Sequence, residues 1–201
     1  MKNLAKSFLM TVAIALITGF GAASANAVPV TFTTTGNFFV GGVSQGSTLA
    51  FSGNTLAFTG ITNTTDPAHT GGTSNTSFGS FLPTGGDATA DPVPANTTFQ
   101  LTIMQSQPTV GTGVASANLT GSLSMAASTL FLTFTTNTVT IGGQVFTIDN
   151  LRIGDPPNPS TLQGTVTQNN PIPEPTTMLL LGTGLLGIAG IVRRRKTTQA
   201  E

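Results

Sequence analysis

The chain has 201 residues, of which only 7% are charged, and seven Lys and Arg balance seven Asp and Glu. It has no Cys, which excludes disulfides, thiolate metal sites, thiol nucleophiles and the lipidated cysteine of a bacterial lipoprotein. Between residues 28 and 172 Arg152 is the only base, set against Asp66, Asp87, Asp91, Asp149 and Asp155, so the middle has no electrostatic footprint for nucleic acid.

The first element is a secretory signal, residues 1–27. Lys2 and Lys6 form its positive end, and Phe8 to Phe20 form an apolar helix too short to span a bilayer. Ala25-Asn26-Ala27 is a small-x-small cleavage site, so the mature chain is expected to start at Val28 after passage through the Sec export machinery.

Residues 28–167 read as one ectodomain. Apolar and polar residues alternate, the signature of half-buried strands. In "TTFQLTIMQ", Phe99, Leu101 and Ile103 share one face, and Thr98, Gln100 and Thr102 the other. "NLTGSLSM" (118–125) and "STLFLTF" (128–134) follow the same rhythm. Gly142-Gly143 in "TVTIGGQVFTI" marks a hairpin turn. Further strands are expected at 29–35, 37–43, 47–52, 55–61, 76–82, 144–152 and 161–167. No stretch shows an amphipathic helix. Short strands separated by Gly, Pro, Asn and Asp predict an all-β domain, an antiparallel β-sandwich or jelly-roll-like fold. Segments 62–75 and 83–97 are expected to be polar loops crowding one end of it.

Chemistry is sparse in this middle. His69 is the only histidine, and no G-x-S-x-G or H-E-x-x-H accompanies it, so a solvated loop histidine is expected. Asp66, Asp87 and Asp91 are candidate calcium ligands from two loops, but calcium needs six to eight oxygens, and ordinary turn roles are the expectation. No metal or cofactor is therefore assigned. Two carboxylates can hydrolyse a glycoside, but there is no Trp or Tyr to form a sugar platform. The chain is read as not an enzyme.

Residues 168–175 form a Pro-rich stalk containing Pro171, Pro173 and Pro175, which deny helix to the backbone. Thr176 to Val192 follow without a charge, a transmembrane helix of roughly 25 Å. Arg193, Arg194, Arg195 and Lys196 then hold the tail, 193–201, on the cytoplasmic side. "GTGLLG" at 182–187 matches the dinucleotide fingerprint, but an apolar run follows and the only acid beyond is Glu201. Gly184, Gly187 and Gly190 instead make a smooth stripe, either for another membrane helix or from the tolerance of such helices for Gly.

Pro173-Glu174-Pro175, an apolar Gly-rich span and an Arg cluster, in that order, resemble the PEP-CTERM sorting signal. The resemblance implies recognition and processing by exosortase, a membrane-embedded transpeptidase, in a Gram-negative exported protein. Such bacteria often make exopolysaccharide, which becomes a candidate partner. The middle resembles choice-of-anchor type β-domains in composition and strand rhythm. The expected function is that of a non-catalytic protein of the cell surface or biofilm matrix, transiently held in the inner membrane. The alternative is a calcium- or glycan-binding adhesion module using the two polar loops.

Overall fold

The computed structural model describes residues 29–66 and 72–168. The signal, the 176–192 span, the 193–201 tail and His69 lie outside them. The described residues form only antiparallel strands and their connections. One sheet has the order β14 (Leu151–Arg152), β11 (Phe131–Thr136), β9 (Gly111–Thr120), β8 (Thr97–Gln107), β1 (Val30–Val40), β2 (Val43–Gly46). In it, β5 (Thr64–Asp66) also pairs with β1. The second sheet has the order β12 (Thr138–Ile141), β13 (Gln144–Ile148), β15 (Ser160–Gln168), β6 (Thr73–Thr84), β4 (Asn54–Thr59), β3 (Thr48–Phe51). A small ribbon joins β10 (Ser122–Leu123) to β7 (Asp91–Pro92).

Alternation places the apolar side chains between the two sheets. Along β8, Phe99, Leu101 and Ile103 are buried while Gln100 and Met104 are exposed. Seven phenylalanines then make the sandwich-like core. Phe38 and Phe99 of the first sheet meet Phe58 and Phe81 of the second, with ring centroids 4.9 to 6.2 Å apart. Phe32 reaches Phe146 at 5.3 Å and Phe78 at 5.8 Å. These edge-to-face and tilted contacts suit the ring quadrupole, and they add to the burial of large apolar area.

Strand boundaries departed from the sequence reading where glycine was taken as punctuation. The expected strands 29–35 and 37–43 are one strand, β1, followed by a turn at Gly41-Gly42. Gly36 does not interrupt it. A Cβ there would stand 2.4 Å from Phe58 and 2.5 Å from Phe99, so the glycine makes room for the two rings. The first seven of the ten residues of β9, Gly111 to Ala117, lie outside the expected strands. Gly111 and Gly113 lie beneath Ile141 and Val139 of β12, with no space for a side chain. The hairpin at Gly142-Gly143 is as expected. Ile141 pairs with Gln144, and both glycines have positive φ, +56° and +84°, as a two-residue turn requires.

The two polar segments do not crowd one end. They lie at opposite ends of β6, whose twelve residues extend over about 35 Å. Within them, Thr64–Asp66 and Asp91–Pro92 are strand residues, and β6 itself begins at Thr73. Period-two apolar patterning is absent from these stretches, so nothing in the sequence marked them as paired. The outermost strands of both large sheets have two to four residues, which leaves little free backbone for edge pairing.

Candidate functional site

The sorting signal is joined to the domain through β15. This strand is interior, paired with β13 on one side and β6 on the other. Its period-two run Leu162, Gly164, Val166, Gln168 faces the core and is buried throughout. Gly164 is required by closeness, since a Cβ would lie 2.0 Å from the Thr147 carbonyl. Gln168, expected as the first stalk residue, is the last residue of β15, and its N–H donates to the Gly72 carbonyl at 3.2 Å. Pro173, Glu174, Pro175 and Arg193 to Lys196 lie outside the described residues, as do Ala25 and Ala27. Among the described residues no helix is long and apolar enough to cross a membrane.

The three candidate aspartates are not brought together. Asp66 belongs to β5, opposite Val30, and is buried. It accepts a short hydrogen bond from the Ser74 hydroxyl near the start of β6. Asp87 and Asp91 lie beyond the other end of β6. Asp87 closes an Asx turn, accepting from the Thr89 N–H at 2.8 Å, which is the turn role expected of it. Asp91 accepts from the Asn54 side chain at 3.0 Å. No group of three His, Cys, Asp or Glu able to hold a metal stands together among the described residues.

Asn54 was missed by the sequence reading and organises that end. It is buried, donates to Asp91 and accepts from the Gly86 N–H at 2.8 Å. It falls between the expected strands 47–52 and 55–61, yet its parity with Leu56 and Phe58 places it inward. Asn54→Ala removes two part-buried hydrogen bonds, one to Asp91 and one from the Gly86 N–H, and is expected to destabilise the domain by about 1 kcal/mol. Urea unfolding followed by circular dichroism measures this.

The opposite end, from which β15 runs on toward the stalk, carries a polar layer. Gln105, Gln144 and Gln168 are all buried and inward, at the ends of apolar runs on β8, β13 and β15. Gln144 and Gln168 are direct cross-strand partners. The same parity test would have found them. Elsewhere, a concavity of about 230 Å³ on the second sheet is lined by Asn75, Thr76, Ser77 and Gln163, all uncharged.

Comparison with known proteins adds one finding at the C-terminus. Residues 171–196 match the family model described as the PEP-CTERM protein-sorting motif. No curated protein and no solved structure matches the chain. The match takes in Pro173-Glu174-Pro175, the apolar span and Arg193 to Lys196 as one unit. The chain thus carries a PEP-CTERM sorting motif, the signal of an exported, exosortase-sorted protein.

Proposed function

We propose that this is a non-catalytic protein of the cell surface or extracellular polymer matrix, whose β-domain is delivered there by its tail. The sorting motif at 171–196 carries the reading. In support, Asp66, Asp87, Asp91 and Asp155 each take part in the fold's own hydrogen bonding: Asp155, for example, accepts from the Ser128 N–H at 2.7 Å. The signal peptide admits the chain to Sec export, the span and Arg193 to Lys196 halt and orient it, and exosortase then acts near Pro173-Glu174-Pro175. A second reading, a neutral-glycan-binding adhesion module, draws on the concavity at Asn75 and Gln163, where amides and hydroxyls converge without charge. Exopolysaccharide is the polymer either reading would meet.

Mass spectrometry of the mature surface protein tests the main reading. The expected N-terminus is Val28, and the last peptide should end before the 176–192 span. A protein recovered intact to Glu201 at the surface would overturn processing. Retention on a neutral polysaccharide column, lost in Asn75→Ala with Gln163→Ala, would favour the second reading.

A further inference from the structure

We propose that the outer face of the first sheet, at Phe131 and Arg152, binds an acidic polysaccharide, with a sugar ring resting on Phe131 and its carboxylate paired with Arg152. The inference rests on the surface or matrix placement proposed above, which brings the domain to secreted polymer. The site is separate from the concavity at Asn75 and Gln163, which lies on the second sheet.

The strands of the first sheet carry two charged residues, Asp66 and Arg152. Asp66 is buried, so the exposed guanidinium is the one charge these strands offer to solvent. No hydrogen bond or ion pair among the described residues engages it. Directly across from it in β11 stands Phe131, 40% exposed. Cross-strand partners share a face and hold their Cβ atoms about 4.5–5.5 Å apart. The ring contacts of the core do not include Phe131. The inward contacts of these two strands come from the adjacent residues, Leu132 and Leu151. An apolar ring and an unpaired cation thus stand side by side in solvent, and the core uses neither.

Their surroundings supply the rest of a sugar site. Thr120 is opposite Phe131 on its other flank, and one step along the same face Thr133 is opposite Asn118. These residues are exposed. A uronic acid presents a C–H face, hydroxyls and a planar carboxylate. The C–H face buries apolar area on an aromatic ring, and with no Trp or Tyr in the chain an exposed Phe is the platform available. The hydroxyls exchange hydrogen bonds with Thr and Asn side chains, and a guanidinium takes a carboxylate bidentately. Charge selects the acidic class. Between residues 28 and 172 five aspartates outnumber Arg152, so the domain as a whole does not attract a polyanion. That repulsion is screened beyond about 8 Å in physiological salt, which leaves the local pairing to Arg152. The site lies at the far end of the domain from Gln168. β9 begins at Gly111, beneath Ile141 and level with Gln144 and Gln168, and Thr120 is roughly 30 Å along it.

The test measures binding of the full chain, in mild detergent, to immobilised polygalacturonate by surface plasmon resonance, with neutral dextran as reference. Polygalacturonate should bind, dextran should not, and about 0.5 M salt should weaken the binding. Arg152→Gln should weaken it about tenfold or more, and Phe131→Ala about fivefold. Arg152→Lys keeps the charge without the fork and should fall between wild type and Arg152→Gln. Both side chains are exposed, so Tm by circular dichroism should stay that of the wild type in each variant. Replacing Arg193 to Lys196 with glutamine should leave the Arg152-dependent binding in place. Trigalacturonate should compete, and glycerol phosphate, an anionic lipid headgroup, should not; the reverse order would assign the face to a membrane surface and overturn the proposal. It also fails if the wild type does not bind, or if binding survives Arg152→Gln and is lost in the tail variant. Dextran sulfate binding as well as polygalacturonate, with no effect of Phe131→Ala, would reduce the site to a lone cation and overturn it too. Sorting is decided separately, by mass spectrometry of the mature protein, so a correctly sorted chain can still fail this test.

Discussion

Replacing Pro173, Glu174 and Pro175 together with alanine is expected to leave the chain in the inner membrane, unprocessed, with its tail attached. The three parts of the tail have separate physical tasks. On the function proposed above, the uncharged span stops translocation and the four following cations fix the tail inside. On the same proposal, the alternating prolines disfavour helix, so an enzyme cleft would bind this segment with little ordering cost. The triple substitution removes only that last task. Replacing Arg193 to Lys196 with glutamine should instead weaken retention and orientation before any processing. Immunoblots of fractionated cells distinguish the outcomes by size and location. The epitope belongs in the Gly41-Gly42 turn, where added side chains meet open space, and not beside Gly85 and Gly86, which press on Ser124 and Gly53. If the triple variant shows wild-type mobility and location, the tail is an ordinary anchor and the processing reading is lost.

Phe99→Ala is expected to cost the domain about 4 kcal/mol, the middle of the range for truncating a buried aromatic ring. Phe99 is fully buried and lies 5.0 Å from each of Phe38, Phe58 and Phe81. Its loss opens a cavity where the two sheets meet and removes three ring contacts at once. Against a total stability of about 5–15 kcal/mol, this is a large part of what holds the fold. Urea unfolding should show the midpoint falling steeply with the slope m unchanged. Phe131→Ala is the control. Phe131 is 40% exposed, so the same truncation there should cost less than about 1 kcal/mol.

Much of this architecture was legible because burial imposes period two. Phe99, Leu101 and Ile103, or Leu130, Leu132 and Phe134, announce an inner face before any coordinates. What escaped was set by contacts distant in sequence. Gly36, Gly111 and Gly113 sit within strands because Phe58, Phe99, Ile141 and Val139 need their space. No local pattern reports who will press on a glycine. Thr64–Asp66 pairs with β1 through backbone and one contact between the Thr65 and Thr31 hydroxyls, so no apolar alternation marks the pairing. The site divides in the same way. The sorting signal is a linear motif, carried by consecutive residues 171–196, and is plain in the sequence. Asn54, Gln105 and Gln168 are polar residues at inward parity, and only the strand frame separates them from ordinary surface residues.

The interior position of β15 also governs how the domain bears force. Drag on a surface protein is transmitted through its tether, which here continues from Gln168. A pull on Gln168 along the strand draws β15 lengthwise between β13 and β6, its antiparallel neighbours. Hydrogen bonds on both flanks are then sheared together and must give way nearly at once. Had the tether left from a two-residue edge such as β14, the same pull would have peeled the bonds apart one after another. The tail thus leaves from a place where tension is spread over the second sheet.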